Sequence, residues 1–295
     1  MLTSEPEIVV PSQSGTTLPP APSKWVQYAR AFAGLLIRDL HVLRREKISF
    51  LIRVCMNPLL FLFVFTYIMP HMSGGATMNP TASMAGAAGA NFSTVLLPGL
   101  MAVAIMFSGI AAVALPLAQE FGITREIDDR VMCPLPVAVV AIEKIVFSAV
   151  QSMIAAGVVF PLAYYMPATP VYAHVNSWTF LIAVLSLASL TAGALGLVIG
   201  TSVRPQQIGL IFGVVVMPIT FLGCVYYPWA ALKAIPWLQY GVLINPIVYM
   251  SEGLRAALTP GLHHMNPWLI LAMLTCSFAV LTWFGIRGFL RRVID

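Results

Sequence analysis

The chain has 295 residues, 59% of them hydrophobic and only 9% charged, with a mean hydropathy of +0.87. A soluble domain carries roughly 25% charged residues, so this composition excludes a soluble enzyme and points to one polytopic membrane domain. The net charge is +5, but the basic residues alternate with membrane-length apolar runs and form no patch suited to nucleic acid.

Residues 1–23 contain no Lys or Arg and are rich in Pro, Ser and Thr. They predict a disordered tail without a cleaved signal, since a basic n-region and an apolar core are both missing. Residues 24–47 follow as an amphipathic helix. Trp25, Tyr28, Phe32, Leu36, Leu40 and Leu43 share one face, and Gln27, Arg30, Arg38, His41 and Arg45 the other. A basic amphipathic helix with Trp at its start suits the inner membrane surface, and the span that follows at once favours that placement over a soluble helix.

A spanning helix needs about 20 largely apolar residues. Six segments qualify: 48–70, 92–118, 145–166, 177–201, 206–227 and 267–286. The expected fold is therefore all-α, with six transmembrane helices. Residues 234–251 also lack charge and compete as a seventh span, but Pro236, Gly241 and Asn245-Pro246 interrupt them. Lys and Arg concentrate on the cytoplasmic side of membrane proteins. Six spans with both termini cytoplasmic put 14 of the 16 basic residues inside: seven in 24–53, three in 125–144, then Arg204, Arg287, Arg291 and Arg292. Only Lys233 and Arg255 stay outside. Residues 228–258 are accordingly expected as a re-entrant pair of short helices entering from the outer face. The small-residue loop 71–91 is a mobile outer linker.

The four cysteines (Cys55, Cys133, Cys224, Cys276) are scattered and form no C-x-x-C pair. They are expected as small buried apolar residues, neither disulfides nor metal ligands. No phosphate-binding G-x-x-x-x-G-K-[ST] loop occurs, nor any Gly-Lys pair, so these residues do not bind ATP in that way. No H-E-x-x-H occurs. His263 and His264 are adjacent and would diverge on a helix, so no metal site is expected. Acids are nearly absent from the spans, which argues against a proton- or sodium-driven carrier.

Between the second and third spans, residues 120–130 read EFGITREIDDR, with Cys133-Pro134-Leu135-Pro136 beyond. Six of the eleven are charged in a chain where charge is scarce. A solvated connector and a docking helix for a soluble partner are both compatible with that run. Farther on, Asn245-Pro246-Ile247-Val248-Tyr249-Met250-Ser251-Glu252-Gly253-Leu254-Arg255 reads as a capped helix start. Asn245 caps it, Pro246 loses nothing at the first position, and Tyr249, Glu252 and Arg255 share one face, where Glu252 and Arg255 pair at i, i+3. Intramembrane charges are functional candidates by default. Substrate contact and plain anchoring of the re-entrant helix both remain open. Phe221, Tyr226, Tyr227, Trp229, Trp237 and Tyr240 gather at the outer end of the fifth span, as a valve or as an interfacial aromatic belt. Gly196-x-x-x-Gly200 and Gly209-x-x-x-Gly213 permit close helix approach, within the chain or at a dimer seam, with the former favoured.

Two of these segments resemble the ABC-2 type permeases, in the branch of drug-resistance and nodulation-type exporters. Residues 245–255 are similar to that family's N-P-x-x-Y-x-x-E-x-x-R signature, with all five landmarks present. Residues 120–134 are similar to its E-x-x-x-G-T-x-E-x-L-x-x-x-P coupling segment through Glu120, Thr124, Glu126 and Pro134, although Ile123 replaces the usual Gly. The resemblance covers about residues 24–295. It implies a permease subunit of an exporter in the cytoplasmic (inner) membrane, paired with a second copy of itself and with two copies of a separate ATP-binding subunit that would hold ATP and Mg. A coupling helix of about 120–132 would dock there through Glu120, Phe121, Gly122, Ile123, Thr124, Arg125, Glu126, Asp128, Asp129 and Arg130. Phe221, Tyr226, Tyr227, Asn245, Pro246, Tyr249, Glu252 and Arg255 would form the gating, re-entrant region. The apolar, Phe- and Met-rich pathway suits a hydrophobic or amphipathic drug, lipid or polyketide. A lipid-linked glycan is the alternative, and an ATP-independent channel or carrier a third reading.

Overall fold

Each regular element that the computed structural model describes is helical, in keeping with a lipid solvent that leaves backbone N–H and C=O groups to be satisfied within their own segment. The structure describes residues 23–68, 92–121, 136–166, 171 and 173–294. The expected tail and the outer linker 71–91 lie outside the described residues, apart from Ser23.

Helix α1 (Lys24–Arg45) ends two residues before the expected boundary, and α2 (Lys47–Leu62) begins after a break at Glu46. Tyr28, Ala31 and Leu35 of α1 pack against the protein and Leu43 joins the main core, while Trp25 is 82% exposed. The residues of α1 that meet the protein therefore lie along its middle and end, with Trp25 left outside the core. A π-helical stretch, Phe63–Ile68, continues α2.

Among the described residues four helices are long and apolar enough to cross a bilayer: α3 (Phe92–Gln119), α4 (Val137–Tyr165), α5 (Trp178–Ser202) and, after the short elements below, a last helix, Pro267–Ile294. The expected third span thus begins eight residues early, and the last runs eight residues past its expected end. The expected fifth span has a different form. A 3₁₀ turn, Pro205–Gln207, leads into α6 (Ile208–Phe221), which carries a π-helical stretch at Phe212–Val216 and stops six residues short of residue 227. At 1.5 Å per residue its 14 residues reach about 21 Å, less than the ~30 Å apolar core of a bilayer.

From Trp229 the chain runs through a 3₁₀ turn to Ala234, the short α7 (Pro236–Gly241), another 3₁₀ turn (Val242–Ile244) and α8 (Pro246–Leu258). The last helix is α9 (Pro267–Ile294). None of the pieces between Trp229 and Leu258 reaches spanning length, as Pro236, Gly241 and Pro246 lead one to expect.

Helix α3 is the hub. It packs on α4, α5 and α8, and 83% of its most apolar stretch is buried; α9, laid against α5, has 17% buried. Helix pairs in lipid gain from close backbone approach rather than from hydrophobic drive, and small residues provide it here. A methyl group on Gly109 would lie 2.6 Å from the Ala192 Cβ, and one on Gly196 would lie 3.0 Å from the Ile110 Cα. Gly196 and Gly200 therefore pack within the chain, α5 on α3. Gly209 and Gly213 on α6 meet nothing within 4 Å, so the second pair does not follow the intramolecular expectation. Of the described cysteines only Cys224 is buried; Cys55 is half-buried and Cys276 exposed, contrary to the expectation of uniform burial.

Candidate functional site

Three sites emerge from this frame. The first lies where α3 ends and α4 begins. The Lys144 ammonium donates to Glu120 Oε1 at 2.8 Å, and each side chain is only 5% exposed. A buried charge without a partner is costly, so this pair fixes the ends of two helices to each other. Lys144 carries no signal in the sequence beyond being a cation beside an apolar run. Phe121 follows at once. Its ring meets Phe289 edge-on at 6.0 Å, and the Arg292 guanidinium lies 4.7 Å from its centroid. Arg292 also donates to the carbonyls of Gly200, Thr201 and Val203 at 3.2, 3.1 and 2.8 Å. Those are the free carbonyls at the C-terminus of α5, where a cation is favoured by the helix dipole. Sequence reading assigned Arg292 only to a basic cluster. The other predicted coupling residues, Gly122, Ile123, Thr124, Arg125, Glu126, Asp128, Asp129 and Arg130, lie outside the described residues.

The second site is the signature helix α8, buried from Ile247 to Leu258. Its start is built as the residue types demand. The Asn245 side chain accepts from the Ile247 N–H at 3.1 Å, and its amide donates to the Ile219 carbonyl at 2.6 Å. Pro246 occupies the first helical position. The Tyr249 hydroxyl donates to the Leu243 carbonyl at 2.8 Å. Glu252 and Arg255 form an ion pair through Oε1 and Nη1, with side chains 1% and 0% exposed. The carboxylate has two further donors, the Trp229 N–H at 2.9 Å to Oε1 and the Met265 N–H at 3.2 Å to Oε2. Arg255 Nη2 donates to the Cys224 carbonyl at 3.3 Å. Cys224 has φ +52°, a left-handed conformation that costs a non-glycine residue roughly 1–3 kcal/mol unless its surroundings impose it. The charged pair thus ties three separate chain segments around one helix. Ser251 adds a fourth tie, donating to the Gly223 carbonyl at 2.9 Å.

The aromatics divide. Trp229 faces inward, its indole N–H donating to the Gln239 carbonyl at 3.0 Å. Phe221 is half exposed, 5.6 Å from the Tyr226 ring, and Tyr227 reaches the Phe221 carbonyl at 3.4 Å. Trp237 and Tyr240 point outward.

The third site was not foreseen. A cavity of about 470 Å³ opens between α2, α3 and α6, walled by Phe50, Val54, Leu60, Phe107 and Phe212 among others, with Ser108 and Gln151 as its polar members. The volume is typical of small-molecule sites. Its signal in the sequence was slight: two uncharged polar residues inside apolar runs.

The sequence profile of the ABC-2 type transporters matches residues 30–259, most of the chain. The chain belongs to the ABC-2 type transporter family. It is the transmembrane permease component of such a transporter, a multi-pass membrane protein, and ABC-2 permeases pair with ATP-binding subunits. A search of curated proteins found no match. As an ABC-2 permease it binds no cofactor of its own, nucleotide chemistry belonging to the ATP-binding subunit. Among the described residues no three His, Cys, Asp or Glu side chains gather as a metal site.

Proposed function

We propose that this chain is the permease of an exporter that moves hydrophobic or amphipathic molecules outward across the cytoplasmic membrane, driven by ATP hydrolysis in a separate subunit. Two copies of the permease work with two ATP-binding subunits. Both termini are cytoplasmic, and α2 with its π-helical continuation and α6 with the residues after it complete six crossings. The basic-residue asymmetry supports that topology.

The observation that carries the reading is the tie between the two ends of the charged segment. Glu120 and Lys144 join α3 to α4, so a push on residues 122–135 reaches both helices together. Helix α3 is the hub of the bundle and forms a wall of the cavity. Closure of the ATP-binding subunits on the 120–130 segment would thereby alter the cavity. Above it, the α8 network is read as the rigid frame of the outer gate, with Glu252 and Arg255 as its anchors rather than as substrate contacts. Three backbone and side-chain ties on Glu252 support this. The cavity wall favours a hydrophobic substrate over a glycan, because Ser108 and Gln151 alone among the lining residues offer hydrogen bonds at their side chains.

Charge reversal tests the coupling assignment. Arg125→Glu or Glu126→Lys is expected to leave membrane insertion intact and to abolish substrate-stimulated ATPase activity in the co-purified complex. Normal stimulation in either variant would remove the 120–130 segment from the coupling role.

A further inference from the structure

The cavity described above has a neighbour. A second chamber of about 400 Å³ lies between α1, the end of α3 and the start of α4. Phe50, Ala111, Leu115 and Gln151 line both chambers, so the two meet at these side chains. Their chemistries differ. The chamber between α2, α3 and α6 has no charged lining residue. The second is lined by Arg38, Asp39, Glu46, Glu120 and Lys144.

We propose that the two chambers are one site for a cationic amphiphile, with its apolar body between α2, α3 and α6 and its charged head beside Glu46. The inference rests on the exporter reading and names its substrate class.

Two observations carry it. The first is charge. Lys144 is paired with Glu120, and Arg38 with Asp39 at 3.3 Å. Glu46, at the break between α1 and α2, is the remaining acid of the chamber. Among the described lining residues three carboxylates stand against two cations, a balance that favours a positive head. The second is an unused hydroxyl. Ser and Thr in apolar helices ordinarily donate back to the carbonyl four residues earlier. Ser152, Thr191, Thr201 and Thr220 do so here, at 2.7–2.8 Å. Ser108, 7% exposed, has no hydrogen-bond partner among the described residues. Ser189 and Thr282 share that state, and Ser108 lines the cavity between α2, α3 and α6. A buried hydroxyl without a partner costs about 1–3 kcal/mol, and a ligand oxygen or nitrogen would satisfy it. Gln151 stands at the junction of the chambers, 6% exposed, and makes no hydrogen bond to another described side chain or backbone group. The body of the ligand therefore carries one or two polar atoms between its apolar part and its amine.

The test is equilibrium binding of radiolabelled dodecyltrimethylammonium and of dodecyl sulfonate to the full chain, with any subunit it carries, in nanodiscs of zwitterionic lipid, empty nanodiscs being subtracted. The cation is expected to bind about fivefold more tightly than the anion, the range of one exposed charge contact. Glu46→Gln should erase that preference. Ser108→Leu, which fills the cavity, should weaken both ligands about tenfold, a difference of about 1.4 kcal/mol. Equal affinity for the two heads, or unchanged binding in Ser108→Leu, would overturn the proposal. If Ser108→Leu misfolds, Glu46→Gln on the exposed inter-helix turn decides alone. Cation-selective binding without ATP-driven export would keep the site and remove the exporter reading. Export without the preference would do the reverse.

Discussion

Lys144 donates to Glu120 at 2.8 Å across 24 residues of sequence, and both side chains are 5% exposed. The pair ties the end of α3 to the start of α4. Removing one member of a buried pair typically costs about 3–5 kcal/mol, because the other charge stays behind. Lys144→Met is therefore expected to lower the thermal unfolding temperature of the detergent-purified protein and to reduce substrate-stimulated ATPase activity in the complex. The exchanged double variant, Glu120→Lys with Lys144→Glu, should recover part of both. A single variant as stable as the wild type would deny the pair its structural role.

The α8 network predicts a different pattern. Glu252→Gln keeps an acceptor for one backbone N–H but loses the charge that faces Arg255. The expected loss is about 2–3 kcal/mol, the scale of hydrogen bonds to charged groups. If the pair anchors the frame, transport should fall by the same factor for every substrate tried, with insertion retained. A loss confined to one substrate class would instead make Glu252 a substrate contact.

Glycine positions separate packed from open helix faces. Gly109→Ala places a methyl 2.6 Å from Ala192 and should destabilise by about 1–3 kcal/mol, the usual range for overpacking. Gly209→Ala meets nothing and should be neutral or stabilise α6 slightly, since Ala is the better helix former by about 1 kcal/mol. Thermal unfolding of the two variants side by side reads this directly; equal behaviour would contradict the α3–α5 packing.

Arg292 caps α5 and lies over Phe121. Arg292→Gln should speed amide hydrogen exchange at the α5 end, residues 200–203, more than at the middle of α9. Arg292→Lys should restore the helix-dipole interaction but lose the planar contact with Phe121. Unchanged exchange in the Gln variant would show that the cap is dispensable.

Much of this was legible from the chain. The breaks at Pro236, Gly241 and Pro246, the Asn245 cap and the Glu252–Arg255 pairing follow from local residue chemistry, and local chemistry decides short helices. Length rules placed α3, α4, α5 and α9, although α4 begins and α9 ends eight residues from expectation. The length rule failed at α6, because apolar composition does not report backbone geometry. Residues 206–227 carry no charge and are largely apolar, yet a π-helical stretch and the turn at Cys224 shorten the helix. The cavity left only a slight signal for a related reason. Ser108, Gln151 and Glu46 are 43 and 62 residues apart along the chain, and only tertiary packing gathers them. The same holds for Trp229 and Met265, whose backbone N–H groups supply the Glu252 carboxylate. No side-chain pattern announces a backbone donor.

The central claim is that this permease acts with a separate ATP-binding subunit docked on residues 120–130. It is tested most directly by purifying the tagged chain from its native membrane in mild detergent and identifying by mass spectrometry what accompanies it. A stoichiometric ATP-binding cassette subunit, cross-linked to residues 122–130, is the expected result. A chain that is pure, stable and alone would contradict it and would return the charged segment to the status of a connecting loop.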